Sequence, residues 1–304
     1  MTKPLALLAL CLLLAAPLWA EVTLYVALTG NDAWSGRLDA RAADGSDGPF
    51  ATPQRAVAEL ANLRRSAPSE AVTILLRAGT YRLSNTLTLT EQHSGTAEAP
   101  VTLASYPGER ATLSGAIPIT GWKRAEGGVY TATLGQDGTP WRATHQLFFR
   151  GERRELARFP NLDPQHPLTG GFLYVDRQGT PKKQAFHYAA GEFSCEQWGD
   201  LSQAEVNLFP YNCWDHNISP IAQVVPEQRY VRLKCSVAGW INEANRYFIE
   251  NVREALDSPG EWYLDYRTGK VDFVPPGGAV ADGEVEMPAV ENLICLSGTA
   301  EEPI

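Results

Sequence analysis

The densest chemistry in the sequence is Asn212-Cys213-Trp214-Asp215-His216. A Trp face suits the apolar side of a sugar ring. Asp and His beside it offer acceptors for hydroxyls and a group that exchanges a proton near neutral pH. The same residues also read as part of a sheet, with Trp214 in its core and the polar pair satisfying a turn, and the sequence leaves both readings open. A second cluster comprises Arg150, Arg153, Arg154 and Arg158. Alternation puts Arg154 and Arg158 on one face, where guanidinium forks would suit the carboxylates of an acidic glycan; the competing reading is salt bridges between segments. Asn31, Asp32, Asp39, Asp44 and Asp47 are rich in oxygen ligands but lack calcium-loop spacing, so they read as a turn-rich surface segment. Asn217-Ile218-Ser219 fits a glycosylation acceptor, a match close to chance in a chain this long.

The elements that must position these residues are β-rich. Between Val72 and Trp122, short runs (Val72 to Leu76, Leu87 to Thr90, Val101 to Ala104, Ala111 to Ser114) alternate apolar and polar positions and are cut apart by glycine, asparagine and proline. Ile74 and Thr102 occupy similar contexts about 28 residues apart, the length that takes a chain once around a solenoid of parallel strands. The expected fold is therefore mainly β, a right-handed parallel β-helix seen at its first rungs. An antiparallel sandwich of equal strand density is the alternative. Thr52 can cap a short helix with Pro53 at its first position and Ala56, Val57, Leu60 and Leu63 as its apolar stripe, a lid over the first rung.

From Asn161 to about Asn245 prolines, aromatics and glycines are dense and the repeat is lost, which predicts a β-rich insertion. Glu261 to Asp265 and Lys270 to Val274 read as a hairpin turning at Gly269, with Trp262 and Tyr263 as its packing, and Val285 to Leu296 reads as solenoid again. The expected organisation is a signal peptide at 1–20, cap and first rungs at 21–160, insertion at 161–245, and hairpin with return to the solenoid at 246–304. No polar coil follows the last strand, so the chain is expected to be the N-terminal part of a longer protein.

Lys3, the apolar run Leu5 to Ala16 and Pro17-Leu18-Trp19-Ala20 have the order of a secretory signal peptide, too short to span a bilayer; the expected location is secreted or periplasmic, with no membrane partner. The net charge of -9 argues against a nucleic-acid partner, because phosphate binding needs concentrated basic surface. Cys195, Cys213, Cys235 and Cys295 contain no CxxC pair, which argues against zinc; export permits disulfides, with Cys195–Cys213 preferred among the pairings.

The segments YVALTGNDAWSG, DGPFATPQRAV, ILLRAGTYRL and PVTLASYPGERATLSGAIPITGW, followed by HQLFFRGERRELARFPN and YFIENVREALDSPGEWYLDYRTGKVDFVPP, resemble secreted β-helix proteins acting on carbohydrates. The nearest likeness is to glycoside hydrolase family 141 and its relatives. The resemblance covers most of Tyr25 to Pro276 and is loose from about Leu162 to Gln228. It implies a glycoside hydrolase acting on polysaccharide without a cofactor, using two carboxyl groups that project from neighbouring rungs. The rungs visible here present Thr73, Thr102 and Thr112 outward, so the resemblance implies catalytic acids downstream and none is named within this chain. A polysaccharide lyase and a non-catalytic glycan-binding solenoid share the fold and stay open.

Overall fold

The structure, a computed structural model, describes residues 21–135, 141, 144–192 and 197–299. The expected signal peptide and Cys195 lie outside them. The described chain is mainly β with one α-helix and forms two compact units, Met1–Gly115 with Val290–Ile304, and Ala116–Ala289.

In the first unit the strands are β1 (Glu21–Val26), β2 (Ala71–Leu76), β3 (Gly79–Arg82), β4 (Leu87–Thr90), β5 (Val101–Ser105) and β6 (Ala111–Ser114). Every ladder is parallel. β2 lies between β1 and β5, with Ile74 beside Leu24 and Leu103. β3 pairs with β6, and β4 pairs with the strand Ile294–Ser297. Parallel register stacks like on like: Thr73 meets Thr102, and Thr80 meets Thr112. Leu24, Val26, Val72 and Ile74 point inward onto Phe50 and onto Ala56 and Leu60 of the helix Pro53–Ser66. The helix begins as expected. Thr52 Oγ1 accepts from Arg55 N, while Asp32 accepts from the backbone N–H groups of Ala51 and Thr52. The antiparallel alternative is thereby excluded for this unit.

Residues 116–289 do not continue the parallel ladders. The expectation of rungs up to residue 160 and of a return to the solenoid at Val285 is corrected for the strands up to Pro288, since alternation reports a half-buried strand and not the direction of its partner. The strands are β7 (Ala116–Pro118), β8 (Lys123–Arg124), β9 (Tyr130–Thr133), β10 (Leu147–Phe149), β11 (Glu152–Leu156), β12 (Arg158–Phe159), β13 (Leu173–Gln178), β14 (Ala185–Tyr188), β15 (Glu205–Leu208), β16 (Asn217–Val225), β17 (Tyr230–Leu233), β18 (Arg246–Glu250), β19 (Glu261–Leu264), β20 (Lys270–Phe273) and β21 (Val285–Pro288).

Eight strands form a half-barrel in the order β7-β21-β10-β11-β19-β20-β9-β8, antiparallel except where β11 meets β19. Its inner face is Leu147, Phe149, Leu156, Trp262, Val271 and Phe273. The expected hairpin is present: Trp262 sits opposite Phe273, and Gly269 takes a φ of 72° at the turn. Six of the other seven strands run β13-β14-β17-β16-β15-β18, and β18 also pairs back to β13, closing a barrel filled by Val175, Phe186, Val206, Val231, Tyr247 and Ile249, while β12 pairs with β18.

Asn251, one residue past β18, joins the two sheets. It is buried at a φ of 56°; its Nδ2 donates to Gln203 O and Leu264 O, its Oδ1 accepts from Leu264 N, and its own N–H reaches Ala157 O. In the first unit, the chain leaves at Gly115 and returns at Val290, whose N–H donates to Gly115 O at 3.1 Å. A Cβ on Gly115 would lie 2.9 Å from Leu293 Cδ2 and 3.0 Å from Val290 Cβ, so a larger residue there would require these neighbours to shift. Cys213 carries a thiol that donates to Phe209 O, and Cys235 and Cys295 are free and exposed; the expected Cys195–Cys213 pairing involves a residue outside those described.

Asn251→Ala is expected to lose about 2–4 kcal/mol in urea unfolding, from buried peptide groups left unpaired and from backbone strain. Asn251→Gly keeps the backbone conformation and should lose less. Equal losses would show that the strain is immaterial.

Candidate functional site

The eight residues Phe209 to His216 join β15 to β16 at one end of the barrel. Pro210 O accepts from Cys213 N, closing a turn in which Tyr211 and Cys213 both hold positive φ, 53° and 60°. Such a conformation is costly without glycine and persists only when its surroundings fix it. Here the fixing group is Asn245, buried beside β18. Its Oδ1 accepts from Tyr211 N at 3.0 Å and Asn242 N at 2.8 Å, and its Nδ2 donates to Tyr211 O at 3.0 Å.

A second loop, leading into β18, completes the surface. Tyr211 N donates to Trp240 O, and a Cβ on Gly239 would lie 2.7 Å from Tyr211 Cβ, so glycine permits the two loops to touch. Val237 N and Ile241 N donate to Lys183 O and Lys182 O, which seats this loop on the β13–β14 connection. The result is an open concavity of about 400 Å3 lined by Lys183, Tyr211, Asp215, Ala238, Gly239 and Trp240. Tyr211 is 54% exposed and Trp240 52%, and Lys182 Nζ lies 5.4 Å from the Trp240 ring. Large aromatics held half in solvent on a rigid turn form a flat, apolar contact surface, with Asp215 and Lys183 as polar partners at its edge.

The residues expected from sequence divide between roles. Trp214 is 85% exposed, so it is not core, and Asp215 lines the concavity. His216 turns the other way. Its ring stacks on Phe209 with centroids 4.7 Å apart and planes 8° apart, and its Nε2 donates to Asn207 Oδ1 at 2.7 Å. Burial, with the Arg246 charge, holds this imidazole below its ordinary range. Asn207 Nδ2 in turn donates to Glu250 Oε2 at 2.6 Å.

Arg154 and Arg158 line one small cavity of about 230 Å3 with Glu155 and Glu261, as alternation suggested, but they are engaged in the fold. Arg158 is 4% exposed; it lies 3.7 Å from the Phe248 ring centroid and donates to Pro160 O and Gly171 O. Arg154 pairs with Glu152. The segment from Asn31 to Asp47 spends its side-chain oxygens on turns, Asp47 on Ser35 and Gly48 and Asp44 on Ser46. Among the described residues, no group of His, Cys, Asp or Glu is arranged to hold a metal ion. Tyr211, Trp240, Lys182 and Lys183 were not singled out by the sequence reading. The signal available was an aromatic after glycine in a loop, Gly239-Trp240, and a tyrosine two residues from Cys213.

No family model matches the sequence, and no curated protein matches it. A solved structure named "Glycoside hydrolase" superimposes with a TM-score of 0.74 at 23% identity, over 93% of this chain and 48% of that one. The fold is thus shared with that structure, and this chain spans about half its length. A second, "The complex structure of XylC with xylose", aligns over 90% of this chain and 32% of that one at 16% identity and a TM-score of 0.37, too low to indicate a common fold.

Glu250 gives the barrel a measurable pH dependence. Burial pushes its carboxyl up to about 7, against a pull downward from the Asn207 bond and from Arg158. The folded state then holds a proton that the unfolded chain releases above its ordinary range. Its contribution is complete below about pH 4.5, is lost as pH rises to about 7, and is flat beyond, with a span of about 3 kcal/mol. Chemical denaturation from pH 5 to 8 should show this decline in the wild type relative to Glu250→Gln; parallel curves would refute it.

Proposed function

We propose that this chain is part of an exported carbohydrate-active protein, with glycoside hydrolase as the leading activity. The observation that carries the reading is the fold shared over 93% of the chain with a structure named as a glycoside hydrolase. The parallel ladders of the first unit are read as the opening coils of a right-handed β-helix, and residues 1–20 as the signal peptide that directs export. The substrate is a polysaccharide or oligosaccharide, and its docking surface on the barrel is the concavity of Tyr211 and Trp240, with Asp215 and Lys183 addressing hydroxyl or charged substituents. Trp214 extends the same loop into solvent.

The chemistry of hydrolysis needs two carboxyl groups across the scissile bond. The facing positions of the described parallel ladders hold Thr73 with Thr102, Thr80 with Thr112, and Thr88 with Cys295, and none of these is an acid pair. In this reading the catalytic acids lie on further coils of a longer protein, in keeping with a chain that spans about half of the named structure. The lack of an acid pair at those described positions favours a second reading, in which the protein binds glycans without cleaving them.

Calorimetric titration with xylohexaose, cellohexaose and hexagalacturonate tests the docking surface. Tyr211→Ala and Trp240→Ala should each weaken binding about 3–10-fold, the worth of one aromatic contact, with unfolding midpoints unchanged. Saccharides that bind wild type and both variants alike would remove the surface from consideration. Reducing ends released by the longer protein identify a hydrolase, products absorbing in the ultraviolet a lyase, and binding without either a non-catalytic module.

A further inference from the structure

The Phe209 to His216 loop is fastened at both ends by a buried asparagine, and the two fastenings differ. At Tyr211 the clamp is Asn245, whose partners are all backbone groups apart from the Cys213 thiol. At His216 the clamp is Asn207, 1% exposed, and behind Asn207 stands a carboxyl group. We propose that Glu250 is a positioning residue for the saccharide loop: through Asn207 and His216, its charge state sets how firmly the Tyr211 to Asp215 turn is held.

The geometry fixes the direction of each bond. Asn207 gives its Nδ2 hydrogen to Glu250 and so presents Oδ1 to the loop, which requires that His216 Nε2 carry a hydrogen. A carboxylate accepts from Nδ2 about twice as strongly as a neutral carboxyl and polarises the amide, making Oδ1 a better acceptor for His216. When Glu250 takes up a proton, both bonds weaken together. His216 keeps its Nε2–H in either of its protonation states, and burial with Arg246 holds it neutral around neutral pH, so the change belongs to Glu250.

Glu250 titrates among identified neighbours. Arg158 on β12 and Glu205 on β15 are its cross-strand partners, His145 pairs with Glu205, and Glu155 approaches from β11. The Tyr266 hydroxyl, buried with no hydrogen-bond partner among the described residues, faces the fields of Glu205 and Glu250. Arg158 and His145 favour the ionised form and Glu155 opposes it, while burial is the largest influence and places the transition near neutrality.

The functional half of this inference rests on the saccharide surface proposed above, and the experiment separates the two. Amide and His216 ring resonances of the full chain are followed from pH 5.5 to 8.5, together with the side-chain carboxyl carbon of Glu250. In the wild type, the Tyr211 to Asp215 amides, His216 and Glu250 should move with one midpoint near 7, and hexasaccharide affinity should rise about 3–10-fold across it. Glu250→Gln should abolish the transition in both readouts. The wild-type comparison alone decides the matter if that variant does not fold: separate midpoints for Glu250 and the loop overturn the proposal, as does a transition that persists in Glu250→Gln. A hexasaccharide bound with pH-independent affinity also defeats it while leaving the docking surface standing. The shared transition with no hexasaccharide bound at any pH supports the Glu250 linkage and removes the docking surface instead.

Discussion

A buried polar group must find a partner, and within residues 116–289 three asparagines meet that need for backbone and side-chain groups alike. Asn251 serves Gln203 and Leu264, Asn245 serves Tyr211 and Asn242, and Asn207 serves His216 and Glu250. Each is almost entirely buried, and each uses both ends of its amide. An amide side chain is the smallest group that donates and accepts in the way a strand edge does, so it can stand in for a missing ladder neighbour. Without these residues the half-barrel, the barrel and the loop between β15 and β16 would each carry unpaired groups in a dry interior.

The two units use β structure for different ends. The parallel ladders repeat threonine opposite threonine, a surface suited to stacking and poor in reactive groups. The barrel is closed, so its strands present no edge and its loops can be long, irregular and chemically diverse without exposing the sheet. Tyr211 and Trp240 sit on such loops, and the cost of a left-handed tyrosine is met by contacts that only a rigid scaffold provides.

Much of the first unit was legible in the sequence. Thr52 and Pro53 mark a helix start by local chemistry, and the inward phase of Val72, Ile74 and Leu76 follows from alternation alone. The pairing direction beyond Gly115 was not legible, because Leu147, Phe149, Trp262 and Leu264 alternate in the same way whether their neighbours run parallel or antiparallel. Trp214 and Asp215 stand out in the sequence because aromatic and acid are adjacent, and the structure leaves Trp214 in solvent and Asp215 at the concavity. Tyr211 and Trp240 are distant in the chain and only folding brings them together, and nothing local tells which way the His216 ring turns. Arg158 looked like a ligand for anions, but its charge is consumed by two carbonyls and the Phe248 face.

The bond from Val290 to Gly115 has a wider meaning. It fastens the exit and re-entry points of a long excursion, beside the pairing of β7 with β21, and among the described residues the ladders of the first unit pair only with that unit's own strands. Because the two ends of residues 116–289 meet, a change in the length of that portion leaves the strand pairing of the first unit intact.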